Sequence, residues 1–406
     1  MDAQTDILVA GAGAAGLSTA LALADAGREV AVVGPPDLGG AARTVALFEG
    51  SIRFLDSLGV WTRIAENSAP LRVMRIVDDT QSLFPAEPAD FRSSEIGLDA
   101  FGWNVENRVL VTAMTEAARA HPRVRMIDDM VVDCAFDAHG AHIGTKANGA
   151  ISARLVVAAD GRRSAARRAA RIATRNWEYP QVAITAVFSH TRPHGDVSTE
   201  FHTRQGPCTF VPLNGTPKHP HRSSLVWLMA PREADRRHAL EPQEFAREAE
   251  AASHRLLGKL TLLSERGKIP MAGLTASTLT APRLALVGEA AHVFPPIGAQ
   301  GLNLGLRDCA HLAEALESAD DPGAPEGLAR YERLRRGDVA SRTLAVDTLN
   351  RALLTNFMPV DFLRGAGLFA LQNIGPLRRL AMREGVMPRA GAPRVMRQRP
   401  ADVVST

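Results

Sequence analysis

The chain has 406 residues, of which 46% are hydrophobic and 22% are charged, and its formal net charge is +3. This composition is typical of a globular protein of two or three domains, and it excludes an intrinsically disordered chain. The charges are nearly balanced and no basic stretch is interleaved with aromatic residues, so nothing indicates nucleic-acid binding. No apolar run approaches the roughly 20 residues of a membrane-spanning helix.

Cysteine and histidine usage narrows the class further. The three cysteines, Cys134, Cys208 and Cys309, lie far apart, which argues against a disulfide framework or a CxxC pair and fits a reducing compartment. The twelve histidines show no metal-ligand spacing, so we predict no metal site. The residues before the first apolar run do not resemble a signal peptide. We expect a cytoplasmic protein, and a peripheral contact with a membrane surface stays open.

The N-terminal segment predicts a dinucleotide-binding βαβ unit. A short apolar run breaks into the GxGxxG pattern of Gly11–Gly16, a helical pattern follows, and a second apolar run stands at Val30–Val33. In this fingerprint Gly11 allows the turn, and Gly13 removes the side chain where a pyrophosphate approaches. Gly16 lets the helix and the strand pack together.

The end of the second strand lacks the acidic residue that usually binds the adenosine ribose. Gly34 stands there, and either Asp37 reaching back or a water molecule could replace the missing acid. Arg43 follows, just before a helix that apolar residues at helical spacing predict. Arg43 could hold a cofactor phosphate or ribose, or it could be a solvated charge at the helix start. The apolar positions of this helix are Leu47, Ile52, Leu55 and Leu58, and Gly59 ends it.

A second motif stands at Asp160-Gly161, where a strand ends and the basic run Arg162–Arg171 begins. A carboxylate at this place suits a clamp on a ribitol or ribose hydroxyl, and the alternative is an N-cap of the following helix. We interpret the basic run as a solvated face rather than as a phosphate site.

The middle of the chain has a different character. Short alternating segments between residues 181 and 229 predict an antiparallel sheet, and residues 235–265 are charged and helical. Earlier in the chain, residues 71–91 predict two short strands with a proline-rich exit. Gly102–Arg108 predicts the opening of a helix.

The most informative stretch is Gly288–Asp308, GEAAHVFPPIGAQGLNLGLRD. It predicts a strand end, a glycine turn, a loop stiffened by Pro295-Pro296, and a helix that opens near Gly301. Gly298 and Gly301 let the backbone approach a flat group, and the helix start offers unpaired N–H groups that favour negative charge. Such a pocket suits a reduced flavin, and the alternative is a structural junction between loop and helix.

The C-terminal part mixes apolar and arginine residues between positions 344 and 382, which predicts amphipathic helices. Such helices pack on their own domain or, in the alternative, dock on a membrane surface or a partner. Residues 389–406 are rich in arginine, proline and glycine, and we predict that they are disordered.

Three motifs in order carry a resemblance to a known family. They are GxGxxG at Gly11–Gly16, DG at Asp160-Gly161 and a GD-type motif at Gly288. The chain resembles the single-component FAD-dependent aromatic hydroxylases of the p-hydroxybenzoate hydroxylase fold. It resembles in particular the ubiquinone-biosynthesis hydroxylases, because Pro295–Asp308 is similar to their H-P-x-A-G-Q-G-x-N-x-G-x-x-D run. The likeness covers nearly the whole chain.

The resemblance implies that FAD is the cofactor. Its pyrophosphate would lie on Gly13 and neighbouring amides, its ribose at Arg43 and Arg108, and its ribityl chain at Asp160 and Glu289. The flavin ring would lie on three loop residues that we assign to the catalytic site without naming an acid or base side chain: Pro296, Gly298 and Gly301. The full set of implied cofactor-binding residues is Gly11, Gly13, Ala14, Ala15, Gly16, Arg43, Arg108, Asp160, Gly161, Gly288, Glu289, Pro296, Gly301, Leu302 and Asn303.

Three positions depart from the family pattern. Glu289 replaces the usual aspartate and is one methylene longer. Pro295 stands where the family has histidine, and Gly298-Ala299 inverts the usual alanine-glycine pair. The last two departures concern the lining on the substrate side.

The resemblance further implies a monooxygenase. Reduced FAD would capture O2 as a C4a-hydroperoxide and transfer the terminal oxygen to an electron-rich phenol ring. The implied substrate is a lipophilic aromatic molecule, a polyprenylated phenol intermediate of ubiquinone biosynthesis. NAD(P)H or a reductase chain would donate the electrons, and other ubiquinone-biosynthesis proteins would be partners. The alternatives are a hydroxylase of a small soluble aromatic compound and a flavin-binding assembly subunit without turnover.

The predicted fold is α/β, with a discontinuous Rossmann-like FAD-binding domain, an inserted antiparallel-sheet substrate domain and a C-terminal helical region. The FAD-binding domain would comprise residues 1–70, 97–178 and 274–340. The substrate domain would comprise residues 179–273 with an excursion at 71–96. Residues 341–388 would form the helical region, and residues 389–406 the disordered tail.

Overall fold

The computed structural model describes residues 3–38, 42–80, 87–295, 300–354, 374–386 and 391–397. The strands are β1 (Ala3–Ala12), β2 (Val30–Pro36), β3 (Thr44–Phe48), β4 (Ala69–Pro70), β5 (Val73–Asp79), β6 (Ala89–Arg92), β7 (Gly102–Glu106), β8 (Val124–Ile127), β9 (Val131–Phe136), β10 (Ala141–Thr145), β11 (Gly149–Ala158), β12 (Thr174–His190), β13 (Val197–Thr203), β14 (Gly206–Leu213), β15 (Arg222–Met229), β16 (Leu260–Leu262), β17 (Gly267–Ala276), β18 (Thr280–Ala281), β19 (Leu284–Leu286) and β20 (His292–Val293). The helices are α1 (Ala14–Asp25), α2 (Glu49–Ser57), α3 (Trp61–Ile64), α4 (Asn107–Ala120), α5 (Ala165–Ala169), α6 (Pro231–Ala239), α7 (Pro242–Ala252), α8 (Gln300–Leu316), α9 (Pro325–Leu354) and α10 (Gly375–Val386). Short 3₁₀ turns occupy Ala65–Asn67, Ser93–Ile96, Gly288–Ala290 and Arg394–Met396.

The first sheet has the strand order β18-β19-β11-β1-β2-β8, with β9 and β10 attached to β11. The strands from β19 to β8 are parallel. Successive residues Ile7, Leu8 and Val9 point to opposite faces and are all fully buried, so both faces of β1 are covered. Because the strands are parallel, the carboxyl ends of β1, β11 and β19 meet at one edge. The predicted motifs at Gly11, Asp160 and Gly288 therefore follow neighbouring strand ends.

The second sheet has the order β20-β17-β12-β15-β14-β13-β5-β6, with β16 on β12. Its strands within residues 181–229 are antiparallel as predicted, but β5 joins β13 in parallel. The predicted antiparallel sheet is therefore confirmed, and β5 is a parallel addition that the sequence did not indicate. A strand from a distant part of the chain is not constrained by a hairpin to run antiparallel. Helices α6 and α7 cover one face of this sheet with an apolar core that includes Phe188, Phe210 and Phe245.

A third, small sheet has the order β3-β7-β4 and corrects two expected helix starts. Leu47 lies in β3 rather than in a helix, and the helix begins at Glu49. Gly102–Glu106 is a strand, and α4 begins only at Asn107. Pairing of β3 with β7 explains both differences, because tertiary strand pairing overrides local helical spacing.

The C-terminal part is helical in α9 and α10, and residues 355–373 and 387–388 lie outside the described residues. The sequence predicts that residues 389–406 are disordered, but part of this tail is packed on the protein. Met396 is buried, and Arg394 pairs with Glu314. These two contacts order a segment whose polar composition alone predicts disorder. The fold class is confirmed as α/β with a Rossmann-like domain, a second sheet and a helical C-terminal region. Within the described residues, no helix combines the length and the apolar composition needed to cross a bilayer.

Candidate cofactor site

The turn between β1 and α1 is shaped by backbone contacts. Gly11 has φ +109°, and a Cβ atom there would lie 2.3 Å from the carbonyl oxygen of Ala159. A Cβ at Gly16 would lie 1.9 Å from the carbonyl oxygen of Gly11. At Gly13, by contrast, the nearest atom to a Cβ would be Cβ of Asp37 at 3.8 Å. Gly11 and Gly16 are therefore required by packing, whereas Gly13 leaves open space beside the helix.

That open space lies at the N-terminus of α1, whose N-cap is Gly13 and whose first turn has no acidic residue. The amides of Ala14 and Ala15 belong to the first turn, where N–H groups lack partners within the helix. An anion placed here gains hydrogen bonds and the favourable end of the helix dipole. The end of α1 can therefore hold a phosphate group.

Asp37 is the residue that could replace the acidic residue missing from the end of β2. Gly34 has φ +152°, and a Cβ there would lie 2.9 Å from the amide nitrogen of Ala12, so the backbone leaves no room for an acidic residue at position 34. Asp37 lies three residues on, and its carbonyl oxygen accepts a hydrogen bond from Nδ2 of Asn107 at 3.2 Å. This contact holds Asp37 beside the start of α4.

Arg43 joins two acids that lie far apart in sequence. Its Nη1 lies 3.6 Å from Oδ2 of Asp37, and its Nη2 lies 3.5 Å from Oε1 of Glu289. All three side chains are exposed, so these ion pairs are weak and a phosphate or ribose can replace them. The carbonyl of Arg43 accepts from the amide of Asn107 at 2.9 Å. Arg108 follows Asn107 directly in the sequence and is exposed.

The two carboxylate oxygens of Asp160 have different surroundings, and the N-cap of α5 is Ser164 rather than Asp160. Its Oδ2 accepts from the amides of Ala165 at 2.6 Å and Ala166 at 3.3 Å, which stabilises the start of α5. Its Oδ1 is buried and has no hydrogen-bond partner among the described residues. A buried acceptor without a partner is costly, so this oxygen is the one that a cofactor hydroxyl would satisfy. Gly161 follows at φ +75° and turns the chain into α5.

Arg167 corrects the interpretation of the basic run as a solvated face. It is buried, and its guanidinium donates to the carbonyl of Ala290 at 2.6 Å and to that of Arg162 at 2.7 Å. Burial lowers the pKa of Arg167. Arginine composition alone could not show that one member of the run turns inward to join the Asp160 loop to the Gly288 turn.

The Gly288 turn is held by buried charges. Gly288 has φ +59°, and its amide donates to Oδ2 of Asp308 at 2.9 Å. The same carboxylate contacts Nε2 of His292 at 2.7 Å and accepts from Nε of Arg335 at 2.7 Å. Burial would raise the pKa of Asp308, but the charges of His292 and Arg335 more than offset it, and the pKa lies below its ordinary value.

Sequence reasoning missed Arg335 and its neighbour Asp338. Arg335 is fully buried and also bonds to Asp338 at 2.5 Å, which in turn pairs with Arg307. In the sequence these residues look like ordinary charges of a surface helix. The available signal was weak: Arg335, Asp338 and Arg342 recur at helical spacing on α9.

The start of α8 is anchored through Asn303. Its Oδ1 accepts from the amide of Phe48 at 2.9 Å and from Oγ of Ser51 at 2.8 Å, and its Nδ2 donates to the carbonyl of Ala46. The Asn303 side chain thus joins α8 to β3 and α2, and its backbone remains the part predicted to face a flavin. The first turn contains Gly301 and the half-buried Leu302 and has no acidic residue. Pro296 and Gly298 lie outside the described residues.

Comparison with known proteins identifies the family. The family model described as "FAD binding domain" matches residues 4–346. The chain belongs to this family. It is 34% identical to ubiquinone hydroxylase UbiL of Rhodospirillum rubrum over 95% of the chain and 90% of that relative. It is 30% identical to 3-demethoxyubiquinol 3-hydroxylase of Escherichia coli, over 93% of the chain and 97% of the relative.

Solved structures show the same fold. The flavoprotein matches PqsL, a probable FAD-dependent monooxygenase from Pseudomonas aeruginosa, with a TM-score of 0.74 and 24% identity over 90% of the chain and 99% of that structure. It matches p-nitrophenol 4-monooxygenase PnpA from Pseudomonas putida with a TM-score of 0.76 and 20% identity over 96% and 100% of the two chains. The solved structures show the shared fold, and the family membership together with the hydroxylase relatives makes the flavoprotein an FAD-dependent monooxygenase of aromatic rings.

The described residues fit FAD. The open space at Gly13 and the first-turn amides suit a pyrophosphate. The unpartnered Oδ1 of Asp160 suits a hydroxyl, and Arg43 is an exposed cation beside Asp37 and Glu289. Each of these features lies at the carboxyl edge of the first sheet, where open α/β sheets bind their ligands.

Proposed function

We propose that this monooxygenase hydroxylates the aromatic ring of a polyprenylated phenol intermediate of ubiquinone biosynthesis. The observation that carries the proposal is the likeness to hydroxylases named for ubiquinone intermediates, which extends over at least nine-tenths of both chains. Structural neighbours named for smaller aromatic compounds share less than a quarter of their residues with this chain, and they support the fold alone.

The residues of the chain would share the binding of FAD between backbone and side chains. We assign the pyrophosphate to the amides of Gly13, Ala14 and Ala15, and the ribose to Arg43 and Arg108. We assign the ribityl hydroxyls to the two carboxylates at the adjoining strand ends, Asp160 and Glu289. Glu289 already turns toward Arg43, so its extra methylene does not carry it away from the site.

The start of α8 would hold the flavin ring. Its first-turn amides, from Gly301 to Asn303, offer hydrogen bonds and the positive end of the helix dipole to the N1 and C2 oxygen edge. Bound FAD would supply the redox chemistry, namely the activation of O2 and the transfer of one oxygen atom to the ring, with electrons from NAD(P)H or a reductase chain. The chain's own contribution is to orient the substrate, exclude water and stabilise negative charge.

An exposed apolar surface supports a lipophilic substrate drawn from a membrane. On α10, Leu377 is 42% exposed and Leu380 is 58% exposed. The same helix carries Arg379 and Arg383, and Met382 anchors its other side in a small core with Phe48. Apolar side chains flanked by arginine suit the interface of an anionic bilayer, so we propose peripheral membrane contact through α10.

Genetic complementation tests the proposed substrate. The chain is expressed in Escherichia coli strains that each lack one hydroxylase of the ubiquinone ring, and lipid extracts are examined by mass spectrometry. We expect one strain to lose its accumulated polyprenyl phenol and regain the next intermediate, which carries one more oxygen. If no strain responds and simple soluble phenols stimulate NAD(P)H oxidation by the purified protein, the substrate is a small soluble aromatic compound. A flavin that no donor reduces would instead indicate an assembly subunit without turnover.

A further inference from the structure

A carboxylate on the second sheet is held at both of its oxygens. Nε2 of His202 lies 2.7 Å from Oε1 of Glu200, and Oγ1 of Thr209 donates to Oε2 of Glu200 at 3.3 Å. Glu200 and Thr209 are directly opposite in the register of β13 and β14, and His202 lies two residues on along β13, so the three side chains share one face. The carboxylate therefore has a fixed orientation on the sheet.

The face that carries Glu200 is the one turned toward the cofactor site. Thr209 is opposite Val226 on β15, and Ser224 lies two residues before Val226 on the same face. Oγ of Ser224 accepts from Oγ1 of Thr44, the first residue of β3, at 3.0 Å. β3 follows Arg43 directly and is joined to the start of α8 through Asn303. The opposite face of the sheet is closed by α6 and α7.

Glu200 and His202 differ in how far their side chains are exposed. The side chain of His202 is 9% exposed, whereas that of Glu200 is 28% exposed, so Glu200 is the group that a ligand can reach. Nε2 of His202 is engaged with Glu200, and its Nδ1 is buried without a partner among the described residues. The ring can therefore donate to Glu200 through Nε2, while its Nδ1 points inward. The other carboxylate on this face near His202, Asp78, accepts from the amide and hydroxyl of Thr80.

We propose that Glu200 is the catalytic residue that binds the hydroxyl group of the phenolic substrate and accepts its proton, with His202 and Thr209 as positioning residues. This proposal rests on the proposed function. As the ring attacks the electrophilic oxygen atom, the phenol O–H bond breaks, the proton forms an O–H bond on the Glu200 carboxylate, and the electron pair of the O–H bond is released to the ring. The added electron density at the ortho and para carbons favours attack by an electrophilic oxygen atom. Glu200 returns the proton when the product leaves.

The test compares the holoenzyme with Glu200→Gln, which keeps the size of the side chain but cannot accept the proton. We expect kcat to fall about 100-fold with KM changed less than about threefold. A second readout does not depend on turnover. Under anaerobic conditions without a reductant, the ¹⁹F resonance of bound 4-fluoro-2-prenylphenol should be shifted part of the way toward the phenolate position in the wild type, because the carboxylate accepts a strong hydrogen bond from the phenol hydroxyl. This phenolate signal should be smaller in Glu200→Gln.

The matched control is Glu244→Gln, an exposed glutamate of α7 on the other side of the sheet, which should behave as the wild type. If Glu200→Gln does not fold, Thr209→Val removes only one bond to the carboxylate and should lower kcat several-fold with a smaller phenolate signal. Wild-type kcat and an unchanged ¹⁹F position in either variant would overturn the proposal. A phenolate signal that depends on Glu200, in a protein that hydroxylates no polyprenyl phenol, would support the hydroxyl site and reject the proposed substrate.

Discussion

Two glycine turns meet at the carboxyl edge of the first sheet, and they are held in different ways. The turn at Gly11–Gly16 is enforced by backbone atoms, because added Cβ atoms at Gly11 or Gly16 would overlap neighbouring carbonyl groups. The turn at Gly288 is enforced by side chains, through the buried carboxylate of Asp308 and its partners His292 and Arg335. The first turn depends on the absence of side chains, and the second depends on buried charge.

The largest expected effect is the loss of bound flavin when a side chain fills the space beside Gly13. Gly13→Glu leaves the fold intact, because a Cβ at this position has 3.8 Å of clearance, but its carboxylate would occupy the phosphate space and repel the pyrophosphate. We expect colourless protein after purification, measured as flavin absorbance per mole of protein. Gly13→Ala is the matched control and should retain most of its flavin. A yellow Gly13→Glu protein with full flavin content would show that the pyrophosphate lies elsewhere.

The contrast explains how far the sequence could be interpreted. The Gly11–Gly16 turn was predicted because its requirements are local: three glycines, a strand before and a helix after. The network behind Gly288 was not predicted, because it joins α8 to α9 and depends on Arg335 being fully buried, which no local pattern indicates. An intermediate case is the group of Asp37, Arg43 and Glu289, whose residues were predicted but whose contacts were not. The sequence named each residue, but only the fold brings them together.

The next effect, on stability, comes from removing charge behind the second turn. Asp308→Asn leaves the guanidinium of Arg335 and the amide of Gly288 short of their buried acceptor. Loss of one partner of a buried ion pair should lower the free energy of unfolding by about 3 kcal/mol. Urea unfolding measures this change. The control is Asp320→Asn, an exposed aspartate beyond the end of α8, which should change stability by less than about 0.5 kcal/mol. Equal stabilities of the two variants would mean that the network does not hold the turn.

Acid tests the same network without a substitution. Because the folded-state pKa of Asp308 lies below its ordinary value, the carboxylate contributes stability above its unfolded pKa of about 4. That contribution is lost as the pH falls through the folded-state pKa. We therefore expect the stability gap between the wild type and Asp308→Asn to be full near neutral pH and to shrink below about pH 4. Urea unfolding of both proteins across this range measures it, and a gap that widens in acid would contradict the assignment.

The smallest effect on the fold should come from Arg43, and for that reason its effect on the cofactor is the most informative. Its ion pairs with Asp37 and Glu289 are exposed, so Arg43→Ala should change the free energy of unfolding by less than about 1 kcal/mol. A charge-assisted hydrogen bond to a phosphate or ribose is worth more, so the dissociation constant of FAD should rise about tenfold.

Titration of apoprotein with FAD, followed by flavin fluorescence, measures this constant, with the exposed Arg63→Ala of α3 as the control. Unchanged affinity would leave Arg43 as a solvated charge that merely lies between two acids. A selective loss of affinity would show that Arg43 contacts FAD in the holoenzyme. Its ion pairs with Asp37, beside the Gly11–Gly16 turn, and with Glu289, in the Gly288 turn, would then be replaced by contacts with the cofactor when FAD binds.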